Sequence, residues 1–416
     1  MASLPASGRT LSAWAPALRS RNFRLFWFGQ LISTAGTALQ VVAEGYLIYQ
    51  ITGSTFWLGM VGLLALLPVV PVSFMGGLLI DRVPRRKLLL ATQGCLMLQA
   101  AVFGLLVLSG RLQLWHIIVL YSIFGALLAI DHPARRAFLV ELVEPGDLAN
   151  AVGLNAVLFN VSSLVGYAVA GLLIAAVGAG VTMMVNSVTY LAPIVALSLI
   201  RVADVAAERH QSGQPRQPFF TALMQGIVAV WQQPTILGAI SLMAVVGGLA
   251  WPVFGMMPAY AEEVLQVGAV GLGILLASGA LGSVAGTVAV ARLGAHRRGA
   301  TLTLVSFGLP PLIVAFAFAQ SLLWACLVLV LVGALLLILQ SLAITLVQLN
   351  IDDRVRGRVM SLYSQIHAGA DTLSNVAIGS LAVAVGLPTA LAMGGMAALA
   401  YAGALRWRMP SVRRLD

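Results

Sequence analysis

Residues 148–200 read LANAVGLNAVLFNVSSLVGYAVAGLLIAAVGAGVTMMVNSVTYLAPIVALSLI, a stretch without a single Asp, Glu, Lys or Arg. A helix that crosses a bilayer needs about 20 predominantly apolar residues, so this stretch holds two of them. Gly178-Ala179-Gly180, near its middle, supplies the turn. Residues 299–351 repeat the situation, with a turn expected near Ala319-Gln320-Ser321. Lipid offers no partners to backbone N–H and C=O groups, so a spanning segment must satisfy them internally, as a helix or a closed barrel. The alternating ten-residue segments of an outer-membrane barrel are absent, which leaves helices.

Further charge-free runs lie at 45–80, 88–110, 112–130, 217–261, 264–291 and 372–405. The whole chain is 60% hydrophobic and 9% charged, too few charges to cover the surface of a soluble domain. Twelve spans are expected at about 23–50, 54–80, 88–109, 114–134, 147–177, 181–200, 235–260, 268–291, 300–319, 322–348, 358–385 and 388–406, with 221–233 as an interfacial approach to the seventh. The fold class expected is an all-α membrane protein of twelve transmembrane helices in two pseudo-symmetric six-helix halves. The connection RVADVAAERHQSGQPRQPFF separates them, giving an N-terminal bundle over 1–200, a cytoplasmic linker over 201–220 and a C-terminal bundle over 221–416. Basic turns at 82–87 and 292–298 recur at a similar offset in each half, as in transporters built from parallel repeats.

Lysine and arginine cluster at 9–24, 82–87, 135–136, 201–216, 292–298, 354–358 and 406–414. Twelve spans put every cluster on one side, together with both ends of the chain, and leave Arg111 alone on the other. The positive-inside rule makes that side the cytoplasm of a bacterial inner membrane. The net charge of +10 is thereby a topology signal and a contact with lipid headgroups, and nucleic-acid binding is not needed to explain it. Cys95 and Cys326 both fall inside expected spans, so no disulfide framework is expected. The first apolar span, after Arg19, Arg21 and Arg24, is too long for a signal-peptide core and is expected to remain as an anchor.

The loop between the second and third spans reads Gly77-Leu78-Leu79-Ile80-Asp81-Arg82-Val83-Pro84-Arg85-Arg86-Lys87. Glycine allows close helix approach, and the aspartate can face arginines across the loop. The segment resembles the major facilitator signature GxLxDRxGRR, with Pro84 in place of the second glycine. Three more segments resemble the branch that contains enterobactin exporters and macrolide efflux pumps. They are Arg21-Asn22-Phe23-Arg24-Leu25-Phe26-Trp27 followed by Gly29-Gln30, then Pro133-Ala134-Arg135-Arg136-Ala137 followed by Leu148-Ala149-Asn150-Ala151, and Arg356-Gly357-Arg358-Val359-Met360-Ser361-Leu362-Tyr363. The resemblance implies a conformational latch made of Gly77, Asp81, Arg82, Arg85 and Arg86, with Arg135 nearby. The fifth span carries Gly153, Ser162, Gly166, Tyr167 and Gly171, which resembles a degraded antiporter motif. Gly153, Gly166 and Gly171 serve equally well as generic small-residue helix packing.

Polar residues inside the spans form two stripes. Gln30, Ser33, Thr37, Gln40 and Glu44 are spaced three, four, three and four apart, so they share one face of the first helix. A membrane-embedded acid costs roughly 2.5–3.5 kcal/mol on insertion scales and turns toward other helices or a water cavity. Glu44 lies about 30 Å beyond Arg24 along a straight helix, and is either a protonatable cavity wall or a glutamate at the outer mouth. Ser364, His367, Asp371 and Asn375 form the second stripe, on the eleventh span. Asp371 is about 20 Å beyond Arg358 and is expected to pair with His367, one turn before it. Such a pair either carries coupled protons or fixes helix packing. Asp131, one turn before Arg135, is a latch contact or a proton site. Asn155 and Asn160 are expected to add polarity to the cavity, and Glu262-Glu263 to be solvated at the outer face.

No Walker loop, HExxH motif, cysteine ligand cluster or GxSxG elbow is present, so ATP hydrolysis, a metal centre and esterase chemistry are not expected. No enzyme activity and no cofactor are expected, and the proton gradient is the expected energy source. The resemblance implies a secondary active transporter, functional as a monomer, that exports a small amphipathic organic molecule such as a siderophore, macrolide or other drug by alternating access and proton antiport. Few cations are available inside the spans, which disfavours a multiply anionic substrate. Proton-coupled import of a nutrient, and a non-transporting receptor or membrane enzyme on the same scaffold, remain open at this stage.

Overall fold

The computed structural model describes residues 15–200, 219–292 and 298–408, without the side chains of 70, 73–81, 219–223, 225, 353 and 354. Among the described residues every element is a helix. The membrane helices are α1 (Arg21–Thr52), α2 (Thr55–Arg82), α3 (Arg85–Leu108), α4 (Leu114–Leu142), α5 (148–177), α6 (179–199), α7 (Pro234–Gly255), α8 (Gly268–Arg292), α9 (Arg298–Ala317), α10 (Leu322–Asn350), α11 (Asp353–Val385) and α12 (Leu387–Arg408). Among the described residues, 10 helical stretches are long and apolar enough to cross a membrane. One of them, Pro145–Leu199, contains both α5 and α6. With α2, whose described apolar part is Thr55–Val69, each of the twelve expected spans coincides with a helix.

The turn expected in the opening stretch falls at Gly178, where φ is 82° and ψ is 163°, a backbone shape that only glycine adopts without strain. Contacts with α1 show that the chain reverses there. Trp27 Nε1 donates to Leu154 O at 3.1 Å and Ser162 Oγ to Leu31 O at 3.0 Å, so α5 rises alongside α1. Asn186 Nδ2 donates to Gln40 Oε1 at 2.6 Å. Farther down α6, a Cβ on Gly29 would lie 2.9 Å from that of Ala196, so α6 descends along the same helix. The second long stretch turns between Ala317 and Leu322, where the Ser321 hydroxyl accepts from Trp324 N–H and caps α10.

Two compact units are present. Among the described residues, the first comprises α1 to Ala43, α2 from Leu64, and α3–α6; the second comprises Glu44–Leu63 with α7–α12. The unit boundary thus passes through α1 and α2 as well as through the long connection. Lipid tails are as apolar as leucine, so packing and hydrogen bonding hold such helices together. In the first unit, Phe23, Phe26, Phe138, Leu197 and Ile200 form a buried cluster, with Phe26 and Phe138 edge to face at 5.7 Å. In the second, α8 and α10 meet backbone to backbone: a Cβ on Gly282 would fall 2.0 Å from Val330 O, and one on Gly333 2.1 Å from Gly279 O.

The expected approach segment is a helix, Phe219–Trp231, whose Gly226 lies close to the Arg358 carbonyl of α11. The seventh span is not a continuous α-helix. It carries π-helical turns at Met243–Gly247 and Tyr260–Val264, and Met256 leaves helical geometry at φ −91°, ψ 4°. Pro252 and Pro258 each remove a backbone donor at this stretch.

Candidate functional site

In the first unit the polar residues of α1 join a buried network from α3, α4 and α6. Asp131 is fully buried on α4. Its Oδ1 accepts from Thr92 Oγ1 at 2.7 Å and from Gln93 Nε2 at 2.8 Å, both on α3. Its Oδ2 faces the Arg135 guanidinium, one turn farther along α4. Ser33 on α1 donates to Gln93 Oε1 at 3.5 Å, which extends the chain of partners to the first stripe. Asp131 therefore has a counter-charge and two neutral donors, the complement that makes a buried carboxylate tolerable.

Gln40 is also buried, held at both ends: its Nε2 donates to Gln99 Oε1 at 3.1 Å and its Oε1 accepts from Asn186. Gln99 passes the chain on to Leu120 O at 3.1 Å. These three amides tie α1, α3, α4 and α6 together, so Gln40 is a fastening inside the bundle. Thr37 is half-buried, donates to Ser33 O at 3.0 Å and meets the Tyr190 hydroxyl at 3.4 Å. Gln30 is 2% exposed, and its amide finds no hydrogen-bond partner among the described residues. Asn155 and Asn160 are half-buried on α5, and Asn160 bonds the Ala156 carbonyl of its own helix at 3.0 Å.

The basic loop after α2 is anchored within this unit. Arg85 pairs with Glu141 and reaches Ala137 O at 3.2 Å, both on α4. Arg86 donates to Leu197 O at 2.7 Å and Ser198 O at 2.8 Å, where it satisfies the last carbonyls of α6 and complements the helix dipole. Arg82 is exposed. The side chains at 77 and 81, the other two expected latch positions, lie outside the described residues. Of the expected packing glycines, Gly166 meets α1 closely, since a Cβ there would lie 2.5 Å from Ala35 O. Gly171 is buried, whereas Gly153 is exposed with nothing near, so helix packing belongs to Gly166 and Gly171 only.

In the second unit the α11 stripe faces α7. Asp371 Oδ1 accepts from Asn375 Nδ2 at 2.7 Å, and the same amide also reaches Asp371 O at 2.9 Å. His367 does not pair with Asp371 as expected. Its ring meets Trp251 of α7 edge to face at 6.1 Å. Asp371 has a possible partner one turn away on each side, and its carboxylate bonds the one that follows it, Asn375. Asn375 Oδ1 is buried against Gly255 and has no hydrogen-bond partner among the described residues. Ser364 is exposed and bonds Met360 O at 3.1 Å.

Glu44 is buried, at the point where α1 passes into this unit. Beyond it, Tyr49 donates to Glu263, so that glutamate is not merely solvated. Thr55 Oγ1 donates to Gly379 O at 2.9 Å. Sequence reasoning overlooked Thr92, Gln93, Gln99 and Asn186, although each is a polar residue in an apolar run. It overlooked Trp251 as well, and nothing local marks that residue.

The chain matches a family model described as transmembrane secretion effector over residues 11–416. It is 25% identical over 411 residues to the multidrug efflux pump Tap of Mycobacterium tuberculosis (strain ATCC 25618 / H37Rv), covering 94% of each chain. It is 21% identical over 277 residues to macrolide efflux protein A of Streptococcus pyogenes, covering 67% of this chain and 68% of that one. Among solved structures, the inward-facing, unoccupied form of a bacterial homologue of the human lysosomal transporter Spinster matches with a TM-score of 0.70. That likeness covers 95% of this chain and 97% of the other at 14% identity, a similarity of fold.

Proposed function

The chain belongs to the transmembrane secretion effector family of major facilitator transporters, and from that premise we propose that it exports a small amphipathic organic molecule, a drug or siderophore, by proton antiport. The observation that carries the reading is the end-to-end match with a multidrug efflux pump, 94% of both chains. Buried polar residues on α1 and half-buried ones on α11 support it, since intramembrane acids mark substrate and proton pathways. Glu44 and Asp371 are the acids assigned to proton coupling. Protons arriving from outside neutralise one or both of them and permit release of substrate, and the proton gradient is the sole energy source. The basic clusters support a bacterial inner-membrane location with both termini in the cytoplasm. Two units within one chain support function as a monomer.

Everted vesicles with an imposed pH gradient and a fluorescent proton reporter test the reading. Siderophores, macrolides and dyes are added in turn. The expected result is substrate-dependent proton release in wild type that is lost in Asp371→Asn, Glu44→Gln or the double variant. Undiminished coupled transport by the double variant overturns the assignment of the acids. Substrate accumulation in intact cells rather than in everted vesicles replaces export with import.

A further inference from the structure

In the second unit α9 and α12 lie side by side: a Cβ on Gly395 would fall 3.0 Å from Val314 Cγ2 and 3.1 Å from Pro310 O. Farther along α12, the Arg406 guanidinium lies over the Phe307 ring, 5.7 Å from its centre. The contacts move forward on α12 and backward on α9, so the two helices are antiparallel. The start of α9 at Arg298 and the end of α12 at Arg408 therefore share one end of the unit. Arg406 stands about 16 Å beyond Gly395 along its helix, whereas Phe307 is only about 4.5 Å from Pro310. To meet that ring, the Arg406 side chain must turn back along α12, the direction in which helical Cα–Cβ bonds lean. Arginines near the ends of membrane helices ordinarily reach outward to water. Arg406 does the opposite.

Its surroundings are exposed and apolar. Leu304, one turn before Phe307, is 73% exposed, and Leu399, two turns before Arg406 on the same face, is exposed as well. Met393 and Met396 continue the exposed side of α12, which ends in Trp407 at 84% exposure. Arg406 is itself exposed. Neither α9 nor α12 contains an aspartate or glutamate. Among the described residues the ion pairs are Arg85–Glu141 and Arg135–Asp131, both in the first unit. The Phe307 ring attracts and orients the charge, but it offers no oxygen acceptor to the guanidinium N–H groups. Their planar fork matches the oxygens of a phosphate. Basic residues between membrane helices are placed to bind lipid head groups.

We infer that Arg406, held by Phe307 in the seam between α9 and α12, binds the phosphate of an anionic phospholipid whose acyl chain lies along Leu304 and Leu399. Arg298 and Arg408, at the same end of these helices, add positive potential and favour a head group of net negative charge over a zwitterionic one. A lipid fits better than a free anion because the exposed apolar faces of both helices run up to the guanidinium. Native mass spectrometry of the purified full-length protein tests this, with phosphatidylglycerol and phosphatidylcholine of identical chains as the probes. Wild type is expected to retain phosphatidylglycerol in preference. Arg406→Gln should weaken its tightest binding about five-fold, and Arg406→Lys, which keeps the charge, should weaken it less. Phe307→Leu, which keeps the arginine and removes its aromatic support, should weaken it about two-fold. Arg292→Gln removes a charge at the end of α8, outside the seam, and should leave that binding unchanged. Melting near wild type establishes that the variants are folded, and the Lys and Leu variants decide the matter if Arg406→Gln is not. Equal retention of the two lipids by wild type overturns the inference, and so does wild-type affinity in Arg406→Gln. An equal loss in Arg292→Gln overturns it too, since net charge alone would then account for the effect.

Discussion

Asp131 on α4 and Asp371 on α11 are both membrane-embedded acids, and each finds a partner one turn farther along its own helix. Asp131 finds the Arg135 guanidinium, and Asp371 the Asn375 amide. Around Asp131 the first unit adds Thr92 and Gln93 from α3 and closes off solvent completely. Around Asp371 the second unit leaves the site half open, while Trp251 of α7 meets His367, one turn before it on α11. The same spacing thus serves two purposes. A carboxylate with a cation and two donors has its charge answered from within and holds helices together. A carboxylate with a single neutral donor among the described residues has no such answer to its charge.

The largest expected effect comes from making the α4 pair a copy of the α11 pair. Arg135→Asn leaves the Asp131 carboxylate buried without a counter-charge, and removal of one partner from such a pair costs about 3–5 kcal/mol. Thermal melting of the detergent-solubilised protein should show a large drop. The double variant Asp131→Asn with Arg135→Gln should recover much of it, because no unpaired charge remains. Melting of Arg135→Asn at the wild-type temperature breaks the comparison.

A smaller loss is expected from Thr92→Val, which keeps the shape of the side chain and removes one donor from Asp131 Oδ1. Hydrogen bonds to charged groups contribute about 1.5–3 kcal/mol, and the lower end applies because Gln93 continues to donate to the same oxygen. The same melting experiment reads it. A loss as large as that of Arg135→Asn would mean that the hydroxyl, rather than the guanidinium, holds the pair together.

Much of this arrangement was legible in the chain, for a physical reason that also sets the limit. Lipid penalises charge so strongly that charge-free lengths and basic clusters mark helix positions, and the turn at Gly178 followed from the length of one run. The stripe on α1 was equally visible, since a three-four spacing defines a helix face. What each member does was not, because its partners come from helices distant in sequence. Gln40 reads as a cavity residue until Gln99 and Asn186 are seen to hold both ends of its amide. His367 and Asn375 flank Asp371 at equal spacing, and nothing local in the sequence says that Asn375 is the one that bonds it. The breaks in the seventh span were half-legible, since Pro252 and Pro258 mark the place while the π-helical turns leave no local signature.

The smallest stability change is expected at Asp371 itself, and its sign sharpens the comparison most. In Asp371→Asn the new amide oxygen still accepts from Asn375 Nδ2, so the local hydrogen bond survives. What disappears is a half-buried charge with no cationic partner among the described residues. Removing such a charge relieves desolvation instead of stranding a partner, and most substitutions outside special contexts stay within about 0.5 kcal/mol. Asp371→Asn should therefore melt at or slightly above the wild-type temperature while losing substrate-dependent proton release in everted vesicles. Stability retained with coupling lost is the signature of a group kept for function. A marked fall in melting temperature would instead make Asp371 a structural element like Asp131, and the two halves of the molecule would no longer differ in the use they make of a buried acid.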